Sequence, residues 1–173
     1  MSDSRLPKII FILLALGAVI YFALLYPQLP QQMASHFNAA GRPTAWMPKS
    51  VFFFFFPGIS LFVLFMTLYV TKLIASKPSD KINLPNKEYW LAPERRAETI
   101  KYFETFFAWF GCALLALLIS GFYLALTANL RDDHTFDYSS FYVVLGAFLA
   151  FTIVWMTRMT AHFKNTSSTS SQK

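Results

Sequence analysis

The chain has 173 residues, 55% hydrophobic and 18% aromatic, with only 14% charged and a mean hydropathy of +0.43. Soluble domains carry about a quarter charged residues, so this composition excludes an ordinary soluble fold and fits a single membrane domain. The net charge of +6 raises the question of nucleic acid, and the lone Cys112 excludes both an internal disulfide and a cysteine-based zinc site.

Uninterrupted apolar runs extend over Ile9 to Tyr26, Val51 to Ala75, Thr105 to Thr127 and Phe141 to Thr157. Each is long enough to cross about 30 Å of hydrocarbon as a helix, the form that satisfies every backbone group within its own segment. The expected fold is all-α: an integral membrane four-helix bundle over residues 1–164. It carries an ordered outer loop, a short cytoplasmic amphipathic helix and a disordered Ser/Thr-rich tail over 165–173.

Arg5 and Lys8 precede the first run like the charged start of a signal peptide, but no Ala-x-Ala site follows closely, so a retained first helix is expected. The loop from Tyr26 to Lys49 is too long for a mere connector. Pro27 and Pro30 stiffen it, Asn38 to Gly41 suits a turn, and Gly41 can take the positive φ that other residues resist. The second run opens on five phenylalanines, Phe52 to Phe56, read as lipid-facing surface and core filler, and Pro57-Gly58 reads as a local kink.

The polar stretch from Lys77 to Glu104 divides in two. Lys77 to Asn86 should be irregular; at Pro93 a helix begins, with Glu94 near its positive dipole end and Ile100, Phe103 and Phe107 on one apolar face. Tyr89, Trp90, Arg95 and Arg96 anchor the chain at lipid headgroups or, together with Asn86 and Lys87, form a docking motif for a cytoplasmic protein. On the third run Ala108, Cys112, Ala116 and Ser120 recur every fourth residue, a small-residue stripe suited to close helix contact. Gly146 and Ala150 repeat it on the fourth, and a helix–helix oligomer is one use for such stripes.

Of the fifteen Lys and Arg residues, twelve lie at the N-terminus, in the second loop or at the C-terminal end; only Arg42, Lys49 and Arg131 lie on the other side. The positive-inside rule then puts both termini in the cytoplasm of a multi-pass inner-membrane protein, and accounts for the basic charge without nucleic acid. The four apolar runs contain hydroxyls such as Ser60, Thr67, Ser120 and Thr152 but no Asp, Glu, His or Asn, which argues against an ion pump or channel acting alone. Asp132, Asp133, His134 and Asp137 in the third loop show no established metal spacing and read as a solvated acidic turn. Neither side assembles a nucleophile, a base and an orienting group, so neither an enzyme nor a cofactor is expected.

The loop residues Leu29-Pro30, His36-Phe37-Asn38, Gly41, Pro43, Trp46 and Lys49 follow the signature of a known family. They resemble the domain-of-unknown-function 1648 (DUF1648) membrane proteins, with Ala34 and Thr44 standing where a proline and an acidic residue are often found. The best-known relatives of that family are bacterial immunity and signal-transduction proteins that protect a producer cell from its own toxic peptide and hold a repressor at the inner face. The resemblance implies sensing of, or immunity to, an extracytoplasmic peptide or other ligand, with signalling to an inner partner. His36, Asn38, Gly41, Trp46 and Lys49 are the candidate ligand-binding residues. Each has a plainer alternative: His36 and Asn38 as partners for loop backbone, Trp46 as an interfacial anchor, Lys49 as a snorkelling end cap. The rival function is a non-catalytic accessory subunit of a membrane complex such as an exporter.

Overall fold

A computed structural model describes residues 4–165. Four helices long and apolar enough to cross a membrane dominate it: α1 (Arg5–Leu25), α2 (Lys49–Ser76), α4 (Pro93–Leu130) and α5 (Tyr138–Lys164). This is the build of a multi-pass membrane protein. A one-turn helix, α3 (Lys87–Trp90), precedes α4. The amphipathic stretch that begins at Pro93 continues into the third span as one helix, α4, with the proline at the first position, where it loses no intrahelical hydrogen bond. Of the 165–173 tail, expected to be disordered, all but Asn165 lies outside the described residues.

The bundle is helical with one addition. Between α1 and α2 the chain forms an antiparallel hairpin of β1 (Gln32–Phe37) and β2 (Pro43–Pro48), reached through a 3₁₀ turn at Tyr26–Gln28. α1 stops there because Pro27 has no N–H to extend its ladder. Prolines also bracket β2, placed at its ends, where the ladder tolerates them.

α4 is the axis of the molecule, and α1, α2 and α5 all pack on it. Phe11, Phe22, Phe56 and Leu115 form the centre of the main core, with Phe22 edge-on to Phe56 at 4.9 Å. At Gly111 α4 meets α2 so closely that a Cβ would lie 2.9 Å from the Thr67 hydroxyl oxygen. The phenylalanine run splits by helical phase: Phe52 and Phe56 are buried while Phe54 and Phe55 are exposed. Pro57 lies inside α2, which stays helical across it.

The small-residue stripe on α4 divides along its length. Ala108 and Cys112 are buried against neighbouring helices, the Cys112 thiol donating to the Pro7 carbonyl at 3.1 Å, whereas Ala116 is exposed. On α5 the reading of Gly146 and Ala150 as a contact needs correcting within this chain. Both are exposed, and nothing lies within 4 Å of a Cβ placed on Gly146. They occupy a face of α5 turned away from α4, which is set by where Phe106 stacks on Trp155 and Phe110 meets Phe148.

Candidate functional site

The hairpin closes one end of the bundle, and its geometry starts from a single asparagine. Asn38 donates its N–H to the Arg42 carbonyl, and its side-chain oxygen accepts from Ala40 N and Arg42 N, both at 3.0 Å. This Asx-type turn leaves Gly41 at φ +77°, in the left-handed region that glycine adopts without strain. A Cβ there would also lie 2.7 Å from the Phe136 carbonyl, because the hairpin tip is pressed onto the α4–α5 loop. The Phe136 N–H donates to Gly41 O at 2.9 Å, and the Tyr138 hydroxyl donates to Phe37 O at 3.2 Å.

A second clamp holds the base of the hairpin. Asn129, in the last turn of α4 and 2% exposed, accepts from the Ala34 N–H at 2.6 Å and donates to the Ala34 carbonyl at 3.0 Å. The carboxamide acts as a one-residue strand, pairing both backbone groups of a buried residue that otherwise faces apolar side chains. Its signal was present: Asn129 is the sole carboxamide in α4.

The candidate ligand residues divide accordingly. Asn38 and Gly41 build the turn. Lys49 opens α2, where a cation opposes the helix dipole, and its ammonium folds back over the Tyr26 ring at 4.7 Å and toward the Leu29 carbonyl at 3.5 Å. His36 and Trp46 remain exposed; Trp46 stands edge-on to His134 of the α4–α5 loop at 5.3 Å. His134 itself has φ +49°, and its Nδ1 is buried with no partner. Asp133 and Asp137 serve their own turns, bonded to Thr135 and Ser140 respectively, and those hydrogen bonds hold both carboxyls below the usual carboxylate range. Among the described residues no three His, Cys, Asp or Glu side chains are grouped to hold a metal ion.

Beneath the hairpin lies an apolar cleft of about 600 Å³. α4 forms its floor, Phe52 and Phe55 of α2 one wall, Phe141 of α5 the other, and Ser35, His36 and Met47 its roof. The register slips between Ala34 and His36, and this bulge breaks the alternation of a regular strand so that consecutive residues both border the cleft. Ser35 Oγ and His36 Nδ1 are hydrogen-bonded at 3.2 Å.

Residues 13–61 match the family model of a domain of unknown function, DUF1648. This stretch is a DUF1648 domain. No curated protein and no solved structure matches the chain. The DUF1648 segment comprises most of α1, the whole hairpin and the first turns of α2. The partners that lock its hairpin, Asn129, Phe136 and Tyr138, lie outside it in the chain.

At the opposite end, the residues read as a docking motif meet helix termini. Trp90 Nε1 donates to the Phe163 carbonyl at 2.9 Å, and Asn86 Nδ2 donates to the carbonyls of Phe163 and Lys164. Arg96 donates to Ala75 O and Lys77 O, each at 2.8 Å, and to the Ser79 hydroxyl. These side chains occupy the unpaired carbonyls that end α5 and α2, and the Arg96 charge suits the negative pole of a helix. Arg95 lies 3.9 Å over the Tyr89 ring, while Lys87 is half-buried at the start of α3.

Proposed function

We propose that the protein is a non-enzymatic membrane sensor, with its hairpin on the extracytoplasmic face and its 77–92 loop in the cytoplasm. A ligand bound under the hairpin shifts α5, and α5 passes the shift to the loop, where a cytoplasmic partner reads it. Immunity to a toxic peptide is one service such a sensor performs. The charge distribution supports the orientation, because twelve of fifteen basic side chains sit on the side of the termini.

One observation carries this reading: α5 is tied by polar contacts at both ends. Tyr138 meets the hairpin, and the Phe163 and Lys164 carbonyls meet Trp90 and Asn86. Between these ends, its main support among the described residues is α4. A helix of that length spans about 40 Å, so movement at one end reaches the other by rigid-body shift between two packings.

The test needs no ligand. Tyr138→Phe combined with Phe136→Ala removes the side-chain part of the upper tie, leaving the Phe136 N–H bond to Gly41 O, and amide hydrogen exchange is then followed at residues 86–96. The sensor reading expects faster exchange there; unchanged exchange with a loosened hairpin sinks the relay. The accessory-subunit reading has its own support in the open face of α5, where Gly146 and Ala150 are exposed at small-x-x-x-small spacing. Gly146→Leu would abolish assembly with a membrane partner under that reading and leave the relay intact under the first.

A further inference from the structure

We propose that the cleft under the hairpin is a binding site for one acyl chain of a glycerophospholipid, with the lipid's ester or phosphate oxygens at Ser35 and His36. Apart from those two residues, the cleft lining is wholly apolar. α2 and α5 both rest on α4 and do not pack along one another, so the cleft opens sideways between them. Its side opening faces the hydrocarbon in which the four helices belong, and what enters there is already in the bilayer. Along α4 the lining runs from Leu117 to Ala125, about 12 Å at helical rise and less than half of the roughly 30 Å hydrocarbon core. That depth suits one chain of the leaflet on the hairpin side, while the second chain stays outside.

The polar end is what makes this a site rather than a gap. The bulge brings a hydroxyl and an imidazole together at the mouth, and the hydrogen bond to Nδ1 leaves Nε2 to face an incoming oxygen. A second groove of about 570 Å³ lies on the other side of α4, against α1, and no hairpin residue lines it. It provides an internal comparison: similar volume, same bilayer, no Ser–His cap.

Gly121 permits a direct test. A Cβ there would sit 3.9 Å from the Phe141 ring, an ordinary contact, so Gly121→Ala should fold normally and Gly121→Leu should fill the cleft. The full chain is reconstituted in phosphatidylethanolamine vesicles carrying phosphatidylglycerol with a diazirine in one acyl chain, and the photolabelled residues are mapped. Labelling is expected at Phe52, Phe55, Phe122 and Phe141, abolished by Gly121→Leu and untouched by Gly17→Leu, which fills the other groove. His36→Ala, at an exposed position, should weaken retention about fivefold, the loss of one hydrogen bond. Equal labelling of both grooves, insensitive to Gly121→Leu and His36→Ala, would mean ordinary boundary lipid and overturn the site. Labelling by a diazirine fatty acid or an amphipathic peptide but not by the phospholipid would also overturn it.

The assignment deepens the sensor reading and rests on it for the purpose of the site. The two fail separately: a specifically bound lipid with no exchange change at 86–96 ends the relay alone, and a working relay with unspecific labelling ends the lipid site alone.

Discussion

The two ends of the bundle are closed by the same chemistry to opposite effect. At each, a non-helical segment is held by side chains that pair with backbone groups: Asn129 on Ala34 at one end, Asn86, Trp90 and Arg96 on the ends of α5 and α2 at the other. At the loop end those contacts surround a packed cluster of Ile82, Leu84, Leu91, Phe103 and Phe163. At the hairpin end they suspend a two-stranded roof over a cleft, with His36 and Trp46 left exposed. The difference teaches where to look for function. Polar side chains that terminate helices have their capacity taken up by structure, whereas a roof over open space keeps polar capacity for something else.

The largest effect should come from Asn129→Ala, which leaves both backbone groups of buried Ala34 without partners and costs about 2 to 4 kcal/mol. The hairpin should come loose, seen as new protease cleavage within residues 32–48 together with a lower Tm in detergent. If cleavage there stays at the wild-type level, the suspended-roof description is wrong. Arg96→Met should lower Tm by a similar mechanism at the other end, about 2 kcal/mol for charge-assisted bonds to three acceptors. There the loss should be global, without selective hairpin cleavage, and a hairpin that opens first would erase the contrast between the ends.

Trp90→Phe removes one donor from the Phe163 carbonyl but keeps the ring against Phe163, for about 1 kcal/mol. Asn86 still reaches the same carbonyl, so faster exchange confined to the last turn of α5 is the expected readout. The smallest effect concerns pH. Hydrogen bonds from Ser140 hold the Asp137 carboxyl below its ordinary value, so its contribution to the start of α5 is full above the unfolded carboxylate pKa and is lost as pH falls through the folded one. Acidification below about pH 4 should lower the protection of residues 138–142, measured as exchange relative to the intrinsic amide rate at the same pH. Asp137→Asn should remove that dependence, and an unchanged pH profile in the variant would assign it elsewhere.

How far the sequence could be read depended on the range of the forces involved. The apolar runs were legible because hydrocarbon imposes a minimum length and permits few alternatives. The turn at Asn38 to Gly41 was legible because its geometry is local: an Asx side chain and a glycine at positive φ. The strands flanking it were not. Gln-Met-Ala-Ser-His-Phe has little β-propensity, and beyond its pairing with β2 it is held at Ala34 by a carboxamide 95 residues away. The segment around Trp90 was legible as an interface by its aromatic and cationic composition, but composition does not say what such side chains face. Several of its donors face the carbonyls of the chain's own helices.

By itself the sequence determined four long apolar helices, a DUF1648 signature ahead of the second, and a basic side distinct from a less basic one. Each follows from composition over a continuous window, where the energy of transfer or of a local turn outweighs context. Only the tertiary structure decided that α4 is the axis, that the loop is a hairpin, and that a bulge turns Ser35 and His36 onto an apolar cleft. Those depend on how apolar faces pack and on contacts such as Asn129 with Ala34 across 95 residues, and the partners in such contacts are fixed only when the helices are packed.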